Sequence, residues 1–291
     1  MAIGACVANN SNDWPVKDLS CIDQVQLIEM RIEYMKKMIV SIALLMGVTS
    51  WGAHHEKASY ISDIGEANAH AVFMCKFNEG FGFAHLDALD TKLHAYFDSN
   101  ETPMFRSRLV PLFNAQESQL DYVVFEADTY EVFGDDWNGY LTTAEGKALE
   151  EAMVEVSTCR SMVSPLYPMY RKDAVLTDDE RIVTVNWCTR NSSVSRDALA
   201  QRHREFRDNM GNNSEAIFWG IGWPSLGVRD GTFPGQFYHL LVYPDMRALA
   251  KRESRMANDG GWEMRADYND NFASCSGEIV LSEKVLRRHS G

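Results

Sequence analysis

The apolar residues of this chain follow the spacings of strands and helices in a regular order. Continuous or alternating apolar runs at 71–74 and 182–187 predict strands. Apolar positions three and four residues apart predict helices, and Leu86, Leu89 and Leu93 share one such face. Patterns of both kinds alternate from residue 66 to the end of the chain, so the sequence predicts an α+β protein.

The same order of predicted elements occurs twice. Cys75 and Cys188 each end a strand-like run, and an Asp-Ala-Leu triplet opens the next helix at 87–89 and again at 197–199. A run that ends in proline, a further strand, helical segments and a last strand follow in both halves. Each half therefore has the order β-α-β-β-α-β, which is the ferredoxin-like unit, and we interpret the chain as a tandem duplication of that unit.

Two tyrosines set the alignment of the third strands. Tyr122 lies 37 residues before Cys159, and Tyr238 lies 37 residues before Cys275. This equal spacing predicts that the two tyrosines occupy equivalent positions. With this alignment, ferredoxin-like repeat 1 covers 66–172 and ferredoxin-like repeat 2 covers 180–291.

A short apolar segment near the N-terminus has the pattern of a secretory signal peptide. The run at 38–48 is shorter than the ~20 residues that cross a bilayer, and a Met-Lys-Lys sequence precedes it. We predict a signal peptide over 35–52 and a periplasmic or secreted mature protein without a membrane span. Residues 1–34 are interpreted as an over-extended start or a disordered segment. A buried helix in a cytosolic protein is the alternative for the apolar run.

Four cysteines remain after removal of the predicted leader, and an even number in an exported chain favours disulfides. Their spacing alone leaves three pairings open. In a ferredoxin-like unit the first and last strands are antiparallel neighbours, so the end of the first lies beside the start of the last. The repeat and its topology together therefore predict the bridges Cys75–Cys159 and Cys188–Cys275.

The composition narrows the class of partner. The chain is 45% hydrophobic, which is enough for a sizeable core. Its 28 basic and 41 acidic residues give a net charge of −13, and a diffuse negative charge repels nucleic-acid backbones. We therefore expect no nucleic-acid partner. The duplication favours a monomer with internal pseudo-two-fold symmetry.

In its order of elements the segment 66–291 resembles the dimeric α/β-barrel superfamily, in which two ferredoxin-like units pack through their sheets. Together with the paired cysteines, the Trp223-Pro224 element and the predicted export, it resembles secreted bacterial proteins of unassigned activity. The resemblance implies an intramolecular pseudo-dimer. Members of this superfamily include monooxygenases, haem enzymes, isomerases and proteins without a known activity, so the resemblance does not assign a reaction.

The packing of two such units predicts a cleft between the repeats, on the sheet faces that carry no helices. Strand alternation places Tyr122, Val124 and Glu126 of the first repeat on that face. It places Val123 and Phe125 on the other face of the strand, towards the helices. The predicted ligand-binding residues of the cleft are Arg106, Arg108, Glu126, Asn186, Trp219 and Tyr238, with Trp223 as a further candidate. The arginines suit an anionic organic ligand. The alternative is that they only protect an edge strand and pair with the glutamate.

The sequence contains no recognisable catalytic motif. Zinc-ligand spacings, a nucleophile elbow, a Walker loop and a dinucleotide fingerprint are all missing, so we assign no catalytic residue, metal or cofactor. His203, on an apolar helix face, and His239, on the helix side of its strand, are interpreted as hydrogen-bonded core residues. A haem or metal ligand is the alternative for His239. Our main expectation is an exported protein that binds a small organic molecule or a partner without chemistry. The alternative is an enzyme of the monooxygenase or haem-dependent type.

Overall fold

A computed structural model describes residues 66–113, 120–210, 214–228 and 233–288. The predicted signal peptide at 35–52 and the segment 1–34 lie outside the described residues. No helix in the described part of the chain is both long and apolar enough to cross a bilayer.

The first half of the described chain contains four strands and three helices. In order they are β1 (Asn68–Phe77), α1 (Phe83–Ser99), β2 (Phe105–Phe113), β3 (Tyr122–Asp128), α2 (Tyr130–Thr142), α3 (Ala144–Val156) and β4 (Ser157–Arg171). Side-chain capping explains where the two helices that follow β3 begin. The hydroxyl of Thr129 accepts from the N–H of Val132 at 3.3 Å, and that of Thr143 accepts from the N–H of Gly146 at 3.1 Å.

A single 3₁₀ turn, Asp173–Leu176, leads into a second half with the same order. Its elements are β5 (Glu180–Arg190), α4 (Arg196–Met210), β6 (Phe218–Gly222), β7 (Phe237–Tyr243), α5 (Met246–Asn258), α6 (Gly261–Asn271) and β8 (Ala273–Arg287). The side chain of Asp245 caps α5 by accepting from the N–H of Ala248 at 2.8 Å.

The eight strands close into one antiparallel barrel in the order β1-β3-β2-β8-β5-β7-β6-β4. Within each half the first strand lies between the last and the third, as in a ferredoxin-like unit. The edge strands of the two halves pair with each other, β2 with β8 and β4 with β6. The α+β architecture is therefore of the dimeric α/β-barrel type.

Both predicted disulfides are present. Cys75 lies directly opposite Cys159 on β1 and β4, and Cys188 lies opposite Cys275 on β5 and β8. Their Cα–Cα distances are 4.1 and 4.0 Å. Each bridge joins the first and last strands of its half, as the topology predicted.

The interior of the barrel is packed with side chains from both halves. Its core contains Val72, Val123, Phe125, Val183, Leu240 and Leu281. The cavity left there is about 60 Å³, which is room for only a few waters. An eight-stranded barrel can be filled by its own side chains or hold one small ligand, and this cavity is too small for an organic ligand. The predicted ligand cleft between the repeats is therefore wrong.

The predicted facing of β3 is also wrong. Tyr122 and Val124 pack towards α1 with Leu86, while Val123 and Phe125 point into the barrel. The registers give the reason, because Cys75 faces Tyr122 but Cys188 faces Phe237, not Tyr238. The equal spacing of the two tyrosines was misleading by one residue, and a shift of one residue turns every side chain to the other face.

Candidate functional site

The arginines of the predicted cleft lie beneath α1 in a closed ion cluster. Arg106 is 2% exposed and pairs with Glu126 and, at 3.2 Å, with Asp90. Arg108 contacts Asp87 at 2.7 Å and Asp90 at 3.4 Å. These carboxylates compensate both guanidinium groups, so the cluster has the properties of a structural ion network. The expectation that the two arginines face an inter-repeat ligand is wrong.

Tyr238 lies inside the barrel, away from the other candidates. It is 1% exposed, and its hydroxyl forms a 2.7 Å hydrogen bond with Nδ1 of His70. Trp187 packs beside it, with ring centroids 5.0 Å apart. Trp223, outside the barrel, stacks on Phe237 at a centroid distance of 4.7 Å. The predicted residues therefore do not form one site.

Asn186 and Trp219 do line a cavity, on the helix side of the second half. Its volume is about 690 Å³, and it lies between the sheet and α4, α5 and α6. Its apolar wall contains Phe206, Met210, Trp219, Leu241, Met256 and Met264. Its polar groups include Asn186, His239, Arg252, Arg265, Tyr268 and Glu278. We call this space the second-half cavity. An aromatic wall with a few polar groups is typical of a small-molecule site.

Three polar side chains form a row across the floor of the second-half cavity. On β5, Asn186 pairs with His239 of β7 on one side and with Glu278 of β8 on the other. Directly paired residues point to the same face of a sheet. The buried Oδ1 of Asn186 accepts no hydrogen bond from any residue in the part of the chain that the structure describes. An acceptor of this kind needs a donor, and a ligand in the cavity can supply one.

A β-bulge brings Glu278 into this row. From the disulfide to the row, β8 advances by three residues, from Cys275 to Glu278, while β5 advances by two, from Cys188 to Asn186. Gly277 lies in this bulge with φ of +95°. The first half has no such irregularity between Cys75–Cys159 and the pair Phe73–Ser161. Without the extra residue, Gly277 would face Asn186. Bulges often turn a side chain towards a site, and positive φ explains the glycine.

A chain of hydrogen bonds runs behind the floor. The indole N–H of Trp219 donates to Nδ1 of His239 at 3.1 Å, so the proton of a neutral His239 is on Nε2. That N–H donates to the hydroxyl of Tyr268 at 3.1 Å. The hydroxyl is also 2.7 Å from Nε2 of His203, to which we assign it as donor. Tyr268 is therefore held between two imidazoles at the cavity wall.

Burial keeps both imidazoles neutral. It lowers the pKa of His239 to about 4, although the charge of Glu278 acts in the opposite direction. Burial and the neighbouring His239 lower the pKa of His203 well below its usual value. The side chain of His203 is completely buried, as expected from its place on an apolar helix face. At neutral pH both rings are therefore uncharged hydrogen-bonding groups.

The charged part of the wall is centred on Glu278. Arg252 contacts both of its carboxylate oxygens, at 2.7 and 3.0 Å, and Arg265 contacts Oε1 at 2.7 Å. Burial alone would raise the pKa of Glu278, but the two guanidinium groups outweigh burial and lower it. Glu278 is therefore ionised at neutral pH.

Among the described residues of the first half, an ion cluster occupies the place that corresponds to the second-half cavity, and the registers show this. Counting from the bridges, Arg106 and Glu126 occupy the positions of Trp219 and Leu241 in the second half. The ion cluster of Arg106 fills the space that stays open beside Trp219. This asymmetry is visible in the aligned sequences and is the signal that could have directed attention to the second half.

The donors of the second-half cavity do not fit an axially ligated haem. His239 is the imidazole in its wall, and both of its ring nitrogens are engaged, by Trp219 and Tyr268. Cys188 and Cys275 lie with His239 in a group of potential metal ligands, but their sulfurs are bonded to each other. Among the described residues of this wall, none presents a free imidazole or thiolate. The haem-dependent form of the catalytic alternative is therefore not supported.

No known family profile matches the sequence, and neither does any curated protein sequence. Solved structures do resemble the fold. A protein from Fusobacterium nucleatum, provisionally described as a monooxygenase, is 9% identical with a TM-score of 0.47, covering 78% of this chain and 96% of its own. A second provisional monooxygenase, from Lactobacillus acidophilus, is 8% identical with a TM-score of 0.48, covering 76% and 95%. A chlorite dismutase variant from Candidatus Nitrospira defluvii is 8% identical with a TM-score of 0.44, covering 80% and 96%.

These neighbours are described as enzymes, and our main expectation of a non-catalytic binding protein is therefore wrong. The catalytic alternative agrees better with them. At this level of similarity the likeness concerns the fold, so the case for an activity of this chain depends on the residues of the second-half cavity.

Proposed function

We propose that this protein is an enzyme of the monooxygenase type that oxidises a small hydroxyaromatic molecule in the second-half cavity without haem. The observation that carries the proposal is the unpaired Oδ1 of Asn186, buried in an aromatic wall beside Tyr268. A substrate hydroxyl satisfies that acceptor. The remaining wall provides apolar contacts for an aromatic ring.

Tyr268 orients the substrate. Its hydroxyl donates to Nε2 of His203, 2.7 Å away, and because burial keeps that ring neutral it stays protonated and offers a lone pair to a substrate donor. His239 holds the tyrosine hydroxyl in position through the bond from its Nε2. The substrate binds as the anion of a second hydroxyl, whose proton is lost to water, and the guanidinium groups of Arg252 and Arg265 stabilise that charge.

The electrons for such a reaction come from the substrate. In an aryl methylene compound, the CH₂ carbon loses its two hydrogens and becomes a carbonyl. One atom of O₂ enters the product, and the other leaves as water with those two hydrogens. An electron-rich hydroxyaryl anion reacts with O₂ in this way without a further reductant, so the atom balance requires no resident cofactor.

Oxygen consumption by the full chain, with dihydroxyanthrone as the probe and no added haem, tests the proposal. We expect the label of isotopic O₂ in the product carbonyl. Asn186→Ala and Tyr268→Phe should each lower kcat/KM by about 10²-fold, because each removes a hydrogen bond that orients the substrate for reaction. The matched controls are Asn258→Ala and Tyr130→Phe, at exposed positions outside the cavity. Both should retain full activity.

Two results would contradict the proposal. One is oxygen consumption that depends on added haem. The other is a loss of activity in the controls as large as in the cavity variants.

We also propose that the two halves arose by duplication and that the protein is exported. The repeated order of elements and the equivalent bridges support the first point. The leader pattern at 35–52 and two disulfides, which form in oxidising compartments, support the second.

A further inference from the structure

We infer that the ligand of the second-half cavity carries a carboxylate, which Arg265 binds at the mouth of the cavity. This inference deepens the proposed function, since it names the class of substrate: a hydroxyaryl methylene compound that also carries a carboxylate, for which dihydroxyanthrone tests the oxygen chemistry alone. It rests on that function for the chemistry that follows binding. The binding itself depends only on the wall of the cavity.

The charge of Arg265 is less compensated than that of its neighbour. Arg252 forms a two-point pair with Glu278 and a further ion pair with Glu253 on its outer side. Arg265 has one contact, from Nη2 to the same Oε1 of Glu278 that Arg252 uses. A guanidinium has five N–H donors, so Arg265 keeps donors for a second anion. Its side chain is 43% exposed, which leaves the group accessible.

The wall favours an anion although the protein as a whole does not. The side chains that line the cavity include three arginines and two carboxylates, in a chain of net charge −13. The guanidinium groups cover both oxygens of Glu278, so its charge does not face an incoming carboxylate. Arg255 is paired with Glu215, and Arg252 with Glu278 and Glu253. Of the described lining cations, Arg265 is therefore the one with donors left for a negatively charged ligand.

Glu278 links Asn186 on the cavity floor to Arg265 on the helix side. Asn186 and Glu278 are directly paired across β5 and β8, so their Cα atoms are about 4.5–5.5 Å apart. Arg265 contacts Glu278 from α6, on the helix side of the cavity. A ring that donates a hydroxyl to Asn186 can place a carboxylate near Arg265. The anion site predicted at Arg106 and Arg108 is thus replaced by one in the other half, where the cationic group is accessible.

A matched pair of ligands tests this inference by calorimetry on the full chain. The probes are meta-hydroxybenzoate and meta-hydroxybenzamide, which have the same hydroxyl and ring and differ in charge. We expect the benzoate to bind at least about tenfold more tightly, as for one charge-assisted hydrogen bond. Arg265→Gln should remove this preference and leave the affinity for the benzamide unchanged. The control Arg247→Gln, at an exposed position of α5 outside the cavity, should change neither affinity.

Equal affinity of the wild-type chain for the two probes overturns the inference, and so does a wild-type chain that binds neither. A loss of both affinities in Arg265→Gln also overturns it, because the arginine would then have a general structural role. Charge-selective binding without any oxygen consumption by the enzyme supports the carboxylate site and contradicts the proposed function alone.

Discussion

Among the residues that the structure describes, His70, His203 and His239 are neutral at ordinary pH because burial lowers the pKa of each ring. His203 and His239 belong to the hydrogen-bond chain behind the cavity, and His70 lies inside the barrel against Tyr238. Burial lowers the pKa of His70 to about 3. Each of these rings gives up its usual ability to take a proton near pH 6.5 when the chain folds. The folded protein is therefore sensitive to acid at these residues.

Acid should destabilise the protein through these rings. Between pH 6.5 and about 3 the unfolded chain protonates His70 while the folded chain does not. The free energy of unfolding should therefore decrease as pH falls, by up to about 1.4 kcal/mol per pH unit for one such group. Urea unfolding from pH 7 to pH 4 measures this slope. His70→Gln should flatten it, and His85→Gln, at an exposed position, should not. Equal slopes in all three proteins would show that His70 protonates without a penalty.

At the scale of elements, one irregular strand distinguishes the two halves. The bulge in β8 turns Glu278 onto the cavity floor, whereas β4 pairs with β1 without interruption there. A Cβ built at Gly277 meets no atom within 4 Å, so space is not what requires glycine. The requirement comes from the backbone, whose φ of +95° is unfavourable for other residues.

Replacement of Gly277 should show whether the positive φ or steric crowding requires a glycine at this position. Gly277→Ala should lower the free energy of unfolding by about 1–2 kcal/mol, since the added Cβ disfavours positive φ. Gly134→Ala is the matched control, because Gly134 lies within helix α2 and also has open space around it. That change should raise the free energy of unfolding by about 0.5–1 kcal/mol. Urea denaturation measures both, and a neutral Gly277→Ala would mean that the bulge relaxes without strain.

On the scale of the whole molecule, the two halves form a single barrel core. The edge strands pair across the halves, and the interior side chains come from both. Each bridge closes a separation of more than 80 residues within its own half, 84 in the first and 87 in the second. The bridges therefore stabilise each half, while strand pairing and the shared core hold the halves together.

Intact mass measures export and both bridges together. The full chain expressed with its own leader in a bacterial host should give a mature mass that begins near Ala53. That mass should be about 4 Da lower than after reduction, since each disulfide removes two hydrogens. The control is a reduced and alkylated sample of the same preparation. A full-length product with free thiols would contradict both export and the bridges.

Some of the candidate site could be found from sequence, and some could not. Asn186 and Trp219 were identified as polar and aromatic positions of strands, and they do line a cavity, although not the predicted one. Tyr268 was missed because it lies on α6, a helix without a marked apolar stripe, and far along the chain from His203. Its position between two imidazoles depends on contacts with His203, 65 residues earlier, and with His239, 29 residues earlier. Neither separation corresponds to a helix or strand repeat.

The order of elements and the partner of each cysteine follow from local periodicity and from the known neighbours of strands in a ferredoxin-like unit. Both are properties of short segments and of their succession along the chain. The facing of β3 and the position of the cavity depend instead on register, since one residue separates Phe237 from Tyr238 as the partner of Cys188. A single step inverts a strand. Only the assembled barrel therefore decides which side chains fill its interior and which line the cavity beneath the helices of the second half.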